Sequence, residues 1–191
     1  MFRSVALGFA LCAALLAGLS TTAIGQSADV LDLASHSRNP FTSPARVRVF
    51  LFVRTDCPVT NRYAPELQRI AQEFSGREVD FWLVYPDPSE TAAAIKTHIA
   101  SYQFPGTPLR DAHHELVKRA HATVAPEAAV FDGEGRLIYH GRIDDRWVEI
   151  GKARPVAQTH DLENAISDVL AGKTVVPSET RAIGCSLADV E

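Results

Sequence analysis

The chain has 191 residues, with 19 basic and 23 acidic side chains, a formal net charge of -4 and 46% hydrophobic residues. A mildly acidic chain with no block of Lys and Arg offers no electrostatic footing for nucleic acid. Its length suffices for an ordinary core without a disulfide framework, so its few cysteines point to chemistry rather than scaffolding.

Arg3 precedes an uncharged run from Val5 to Leu19, and Ala23-Ile24-Gly25 supplies a small-x-small cleavage pattern, so residues 1–25 read as a signal peptide. The run is shorter than the roughly 20 residues that span a bilayer. Cys12 lies inside it after Leu11, where lipid attachment would require a small residue, and it leaves with the signal. Cys57 and Cys185 remain, in a periplasmic or extracellular setting where thiols oxidise. No second long apolar segment follows, so no membrane span is expected after cleavage.

Residues 26–45 mix Ser, Asn and Pro and predict a loosely held arm. Val47–Val53 is β-branched and aromatic with almost no polar interruption, the pattern of a strand buried on both faces. Beyond Pro58, apolar residues at Val59, Tyr63, Leu67, Ile70 and Phe74 predict a helix that Gly76 closes. A second strand covers Val79–Tyr85. Asp87-Pro88-Ser89-Glu90 resembles a helix N-cap with Pro at the first position, and Ile95, Ile99 and Tyr102 mark that helix's buried stripe. After the turn-rich segment 104–108, Leu116, Val117 and Ala120 suggest a short extra helix. Ala128–Phe131 and Leu137–His140 flank a glycine turn and read as a hairpin. A last helix runs from about Asp161 to Ala171, and the tail to Glu191, with Cys185, shows no period and is expected to be mobile. The sum is an α/β fold, a central mixed sheet flanked by helices.

Cys57-Pro58 marks the join of the buried strand and the helix, where unpaired N–H groups and the helix dipole favour thiolate, the nucleophilic form. A plain buried core cysteine is the other reading.

From Phe52 to Phe74 the sequence resembles the active-site strand and helix of thioredoxins, with Phe52, Cys57, Ala64-Pro65, Leu67, Ile70 and Glu73 on the family's pattern. Ala125-Pro126-Glu127, just before a strand, is similar to the family's cis-proline segment, which lies beside the attacking sulfur and grips an extended substrate; an ordinary strand-start proline is the alternative. The stretch 87–121 looks like that of exported redoxins with TlpA-type and AhpC/TSA-type features. The resemblance implies a thioredoxin-like fold with an extra helix between the second strand and the cis-proline strand. It divides the chain into the signal, the arm, a redoxin domain over 46–172 and a tail over 173–191.

The chain departs from the family in three ways. Thr60 stands where thioredoxins have their second cysteine, Leu51 where they keep a buried acid, and Arg54 and Phe50 where peroxiredoxins have the Thr and Pro that hold peroxide. Thr55 is one place off that pattern, and Arg54 and Arg62 are positive groups near it. Cys185 therefore becomes the candidate resolving thiol, as in peroxiredoxins whose second cysteine is C-terminal, with anchoring of the tail or pairing to another protein as alternatives.

The resemblance implies a thiol-dependent oxidoreductase: Cys57 attacks a disulfide or peroxide, Cys185 or a partner thiol resolves, Thr60 joins them as a catalytic position, and Arg54, Thr55, Ala125, Pro126 and Glu127 position the substrate. An external thiol would reduce it; no cofactor and no metal are expected. The alternatives are a non-catalytic binding or assembly module and, further off, a copper site of Cys57, Cys185 and a histidine, although Asn61 replaces the second cysteine of such carriers. Arg142–Trp147 reads as a solvated loop, or as one placing Asp144 and Trp147 near a substrate groove. Gly133-x-Gly135 is a turn rather than a phosphate loop.

Overall fold

A computed structural model describes residues 30–187; the predicted signal and residues 26–29 lie outside them. In chain order the elements are β1 (Val30–Leu31), β2 (Ser37–Arg38), a 3-10 turn (Pro40–Thr42), β3 (Val47–Phe52), α1 (Pro58–Glu73), β4 (Val79–Tyr85), α2 (Ala92–Tyr102), β5 (Thr107–Arg110) and α3 (Glu115–Ala120). Then come β6 (Val124–Ala125), β7 (Glu127–Asp132), β8 (Leu137–Gly141), β9 (Trp147–Glu149), β10 (Lys152–Ala153), α4 (Asp161–Leu170) and β11 (Cys185–Ser186). Seven strands form one mixed sheet in the order β2-β1-β5-β4-β3-β7-β8, the thioredoxin-like α/β arrangement. Among the described residues no helix is long and apolar enough to cross a membrane.

All six residues of β3 are buried, because the strand is central and covered on both faces. Its side chains alternate between two cores. Val47, Val49 and Leu51 meet Leu67 and Ile70 of α1 and Leu162 and Ile166 of α4 on one side. Phe50 and Phe52 meet Leu116, Val117 and Phe131 on the other. Arg48 shares the second face and stays buried because its guanidinium donates to the carbonyls of Asp132 and Ser43.

β3 runs parallel to β4 and antiparallel to β7, with Val47 opposite Asp132 and Phe52 opposite Glu127. That register sets the C-terminal end of β3, which leads to Cys57, beside the N-terminal end of β7, which follows Pro126.

The structure corrects several expectations. The arm is not loose over residues 30–45: β1 pairs with β5 and β2, Val30 is fully buried, and Phe41 packs at 5.3 and 5.2 Å from the rings of Phe50 and Phe131. Two-residue strands are too short to show a period. β5 lies in the turn-rich segment 104–108 and just beyond it, where Pro108 and Gly106 mask its strand character. Thr91, not Asp87, caps α2 by accepting from Ala94 N, while Asp87 folds onto Ser89 in a local turn. Glu90 is thereby released from a capping role and turns inward. Segment 142–147 is not a solvated loop: Asp144, Asp145 and Trp147 are buried, with Asp144 accepting from the Tyr63 hydroxyl at 2.6 Å and Asp145 from the N–H groups of Gln158 and Thr159.

α3, which leads into β6, is started by Asp111, whose buried carboxylate accepts from the N–H groups of Glu115, Leu116 and Val117. These are orphan donors of the first turn. Burial outweighs them and pushes the Asp111 carboxyl up to about 6. A carboxyl whose pKa is raised on folding favours the folded state below its unfolded value near 3.8, and that advantage is lost as pH rises through about 6. Denaturant unfolding of wild type and Asp111→Asn across pH 4 to 7 is expected to show a stability difference that shifts in favour of the variant as pH rises; a pH-independent difference would remove the buried charge from this account.

Candidate functional site

Cys57 occupies the N-cap of α1, with Pro58 at the first helical position, where a missing N–H costs nothing. The residue is fully buried. Pro65 lies inside the same helix, as the resemblance implies. The Ala125–Pro126 peptide is cis, and the Ala125 carbonyl oxygen stands 3.0 Å from Cys57 Sγ. Register places the cysteine and the cis-proline segment together, as expected from the sequence.

Cys57 and Cys185 form a disulfide across 128 residues, with Cα atoms 6.1 Å apart. Neither sulfur then carries a hydrogen, so the approach to Ala125 O is a packing contact; in the dithiol form the Cys57 thiol has an acceptor there. The helix N-terminus favours the thiolate and this carbonyl favours the thiol, so the two act against each other.

The tail is docked rather than mobile over its described part. β11 pairs antiparallel with β6, Cys185 opposite Ala125 and Ser186 opposite Val124. Leu187 N donates to Thr123 O, and the Leu187 side chain is buried in the second core. Arg54 donates to Ser186 O at 3.0 Å. Further back, Thr180 is held by His140 O, by the Tyr139 hydroxyl and by Arg142 N.

Two glycines permit this docking. A Cβ on Gly184 would lie 2.2 Å from Ala125 O and 2.6 Å from Ala125 C, and one on Gly141 would lie 2.2 Å from Thr180 O. The obstructing atoms are mainly backbone, which has little room to yield. The sequence contained Gly184 beside Cys185, but only the fold shows what it faces.

The remaining predicted residues fall at different places. Arg54 is nearly buried, pairs with Asp56 and reaches the tail, so it belongs to the site through Ser186. Thr55 donates its N–H to Glu90 at 2.6 Å. Thr60 lies one turn beyond Cys57, fully buried, its hydroxyl without a hydrogen-bond partner among the described residues. Glu127 does not aim at the sulfur; it is buried and accepts from the N–H groups of Thr123 and Val124, which holds the turn of β6 into β7.

Sequence reasoning missed Glu90. One carboxylate oxygen holds Thr55 N and the other is buried with no partner among the described residues. Burial, reinforced by Asp87 and Asp56, raises its pKa. A buried carboxyl thus underlies the loop that delivers Cys57, although Leu51 replaces the family's buried acid. His98 steadies the same end of α1: Nε2 faces Asn61 Oδ1 at 2.7 Å and Nδ1 faces the Tyr85 hydroxyl at 3.0 Å, so the tautomer with hydrogen on Nε2 satisfies both.

A cleft of about 680 Å³ opens behind the tail, with His121, Glu127 and His140 on one side and residues 179–184 on the other. As for metals, Glu66, His160 and Glu163 alone among the described residues bring three ligand atoms within 4.8 Å of one another, but Arg69 already pairs with both carboxylates. The copper set fails in this form because both sulfurs are spent in the disulfide.

Gly184→Ala is expected to weaken tail docking and make the disulfide easier to reduce, shifting its midpoint by about 30 mV or more toward positive potential. Redox titration followed by thiol alkylation measures this; an unchanged midpoint would show that the Gly184 contact contributes nothing to tail docking.

A profile of the AhpC/TSA family matches residues 28–140. No curated protein matches the chain. Among solved structures, a hypothetical protein from Sinorhizobium meliloti is 24% identical with a TM-score of 0.67, over 83% of this chain and 88% of that one. An uncharacterized conserved protein from Geobacillus kaustophilus is 20% identical with a TM-score of 0.70, over 85% and 90%. A secreted disulfide oxidoreductase from Mycobacterium tuberculosis, described as homologous to E. coli DsbE, is 17% identical with a TM-score of 0.51, over 75% and 93%. These likenesses establish the thioredoxin-like fold. Because the profile spans more than half of the chain, from β1 through the Cys57 helix to the cis-proline strand, the chain belongs to the AhpC/TSA family.

Proposed function

We propose that this protein is an exported thiol-disulfide oxidoreductase in which Cys57 and Cys185 cycle between disulfide and dithiol. The observation that carries the reading is the cross-link itself: the nucleophile position of a thioredoxin fold bonded to a cysteine on a tail that lies along the cis-proline segment. The uncharged run Val5–Leu19 and its cleavage pattern support export to a compartment where such a bond persists.

In the oxidising direction the Cys57 thiolate attacks a substrate disulfide. A Cys57–substrate disulfide forms and the other substrate sulfur leaves as thiolate with the electron pair. Cys185 thiolate then attacks Cys57 Sγ, forming the observed bond and releasing the second substrate thiolate, so two electrons reach the substrate. Resetting needs an external thiol. Cys57 is fully buried while Cys185 is only partly so, which directs the incoming thiolate to Cys185. Cys57 leaves from the helix N-terminus, where its negative charge is favoured.

Disulfides are favoured over peroxide as substrates. Phe50, in the place of the peroxide-binding proline, is locked between Phe41 and Phe131, and Arg54 is committed to Asp56 and Ser186. Steady-state reduction of a small disulfide and of hydrogen peroxide, with an excess thiol, tests the proposal. Cys57→Ser is expected to abolish turnover. Cys185→Ser is expected to give one fast stoichiometric step and then turnover at least about tenfold slower, because a tethered thiol acts at millimolar effective concentration. Equal, slow behaviour of all three proteins with both substrates would favour a binding module instead. Under limiting reductant, Cys185→Ser is expected to carry the substrate as a mixed disulfide on Cys57, read by mass mapping.

A further inference from the structure

The tail is an extended peptide already cross-linked to Cys57, and its contacts define what the groove along β6 accepts. Four positions carry information. Immediately before the cysteine, Gly184 lies where the Ala125 carbonyl leaves no space for a Cβ, and the backbone of Pro126 closes the same side at 3.0 Å. The conformation of Gly184 does not lie in the left-handed region, so the requirement for glycine there is one of space alone. The cysteine and the next residue pair with Ala125 and Val124 through backbone, a contact indifferent to side chains. The carbonyl after the cysteine takes the Arg54 hydrogen bond. Two residues after it, Leu187 is 2% exposed in the core that contains Phe52, Val84 and Leu116.

Behind these residues the tail is fastened independently, with Thr180 held by Tyr139, His140 and Arg142. Opening the disulfide therefore frees a short arm from about residue 181 onward, while the anchor at Thr180 stays. The vacated groove is the uncovered backbone of β6, with an apolar pocket at one end and a carbonyl wall at the other.

We propose that this groove selects substrate cysteines in extended segments with glycine directly before the cysteine and a large aliphatic residue two places after it, the chain's own Gly-Cys-x-Leu being the template. The selection rests on the reading of Cys57 as an exchange thiolate. Tail and substrate occupy the groove in turn, so a substrate enters only after the arm has left.

The test uses full-length Cys185→Ser and peptides of sequence Ala-Ile-Gly-Cys-Ser-Leu whose cysteine is linked by a disulfide to thionitrobenzoate. Cys57 thiolate attacks the peptide sulfur, the Cys57–peptide disulfide forms, and thionitrobenzoate departs as a coloured thiolate with the electron pair. Cys57 is oxidised and thionitrobenzoate reduced. The leaving group is constant, so relative rates report docking. Replacing the peptide glycine by alanine is expected to slow release about tenfold or more, and replacing its leucine by aspartate by about tenfold. An N-acetylcysteine conjugate is expected to react at least as slowly as the substituted peptides. Adding Gly184→Ala to the protein, which unseats its own tail, is expected to raise the parent peptide's rate while preserving the order. Equal rates for all conjugates would overturn the selectivity and leave the exchange function standing. A rate order that collapses when the tail is unseated would overturn it as well. Failure of every conjugate to react at Cys57 would overturn both readings.

Discussion

The antiparallel register of β3 against β7 is the constraint on which the site depends. With Phe52 opposite Glu127, the chain leaving β3 toward Cys57 and the chain entering β7 from Pro126 must run side by side. A slip of one residue would exchange the two faces of a strand whose alternate side chains fill two different cores, so the register is held by the whole interior. The 3.0 Å approach of Cys57 Sγ to Ala125 O is a consequence of that packing.

On this frame the cysteine bonded to Cys57 lies at the far end of the chain rather than on the adjacent helix turn. Thr60 fills the vacated helical position and stays buried. The tail compensates by acting as an added strand: β11 completes a ladder with β6, Arg54 clamps Ser186 and Leu187 plugs a core. Closing a loop of 128 residues is entropically demanding, but the Thr180 anchor divides that cost, leaving only a few residues to be positioned when the sulfurs meet. In this docked form Cys57 is fully buried.

The electrostatics around the cysteine follow a similar displacement. The acid that thioredoxins bury within the strand is replaced by Leu51, and a buried carboxyl appears instead on the loop after β4, where Glu90 holds Thr55 N. Its raised pKa comes chiefly from burial, with Asp87 and Asp56 adding to it. The loop carrying Cys57 is thus tied to a buried carboxyl, reached from a different strand.

Much of the fold was legible from local pattern. The unbroken apolar run at β3, the helical period from Val59 to Phe74 and the glycine turn at 133–135 are local signals, and they lead to the observed elements. Cys57 at a strand-helix join and Pro126 ahead of a strand were likewise readable, because helix N-termini and strand starts have sequence signatures. β1, β2, β5 and β11 were not, since two to four residues carry no period and their pairing is purely tertiary. Nor could the sequence show that 142–147 is buried, that Glu90 turns toward Thr55, or that Gly184 faces a carbonyl, because each depends on what a distant segment places opposite. The sequence by itself determined the family, the place of Cys57 at the join of strand and helix and the absence of its usual neighbour. Only the tertiary structure decided that Cys57 and Cys185 are bonded, because bringing two residues 128 apart into bonding distance is a property of packing rather than of any local run.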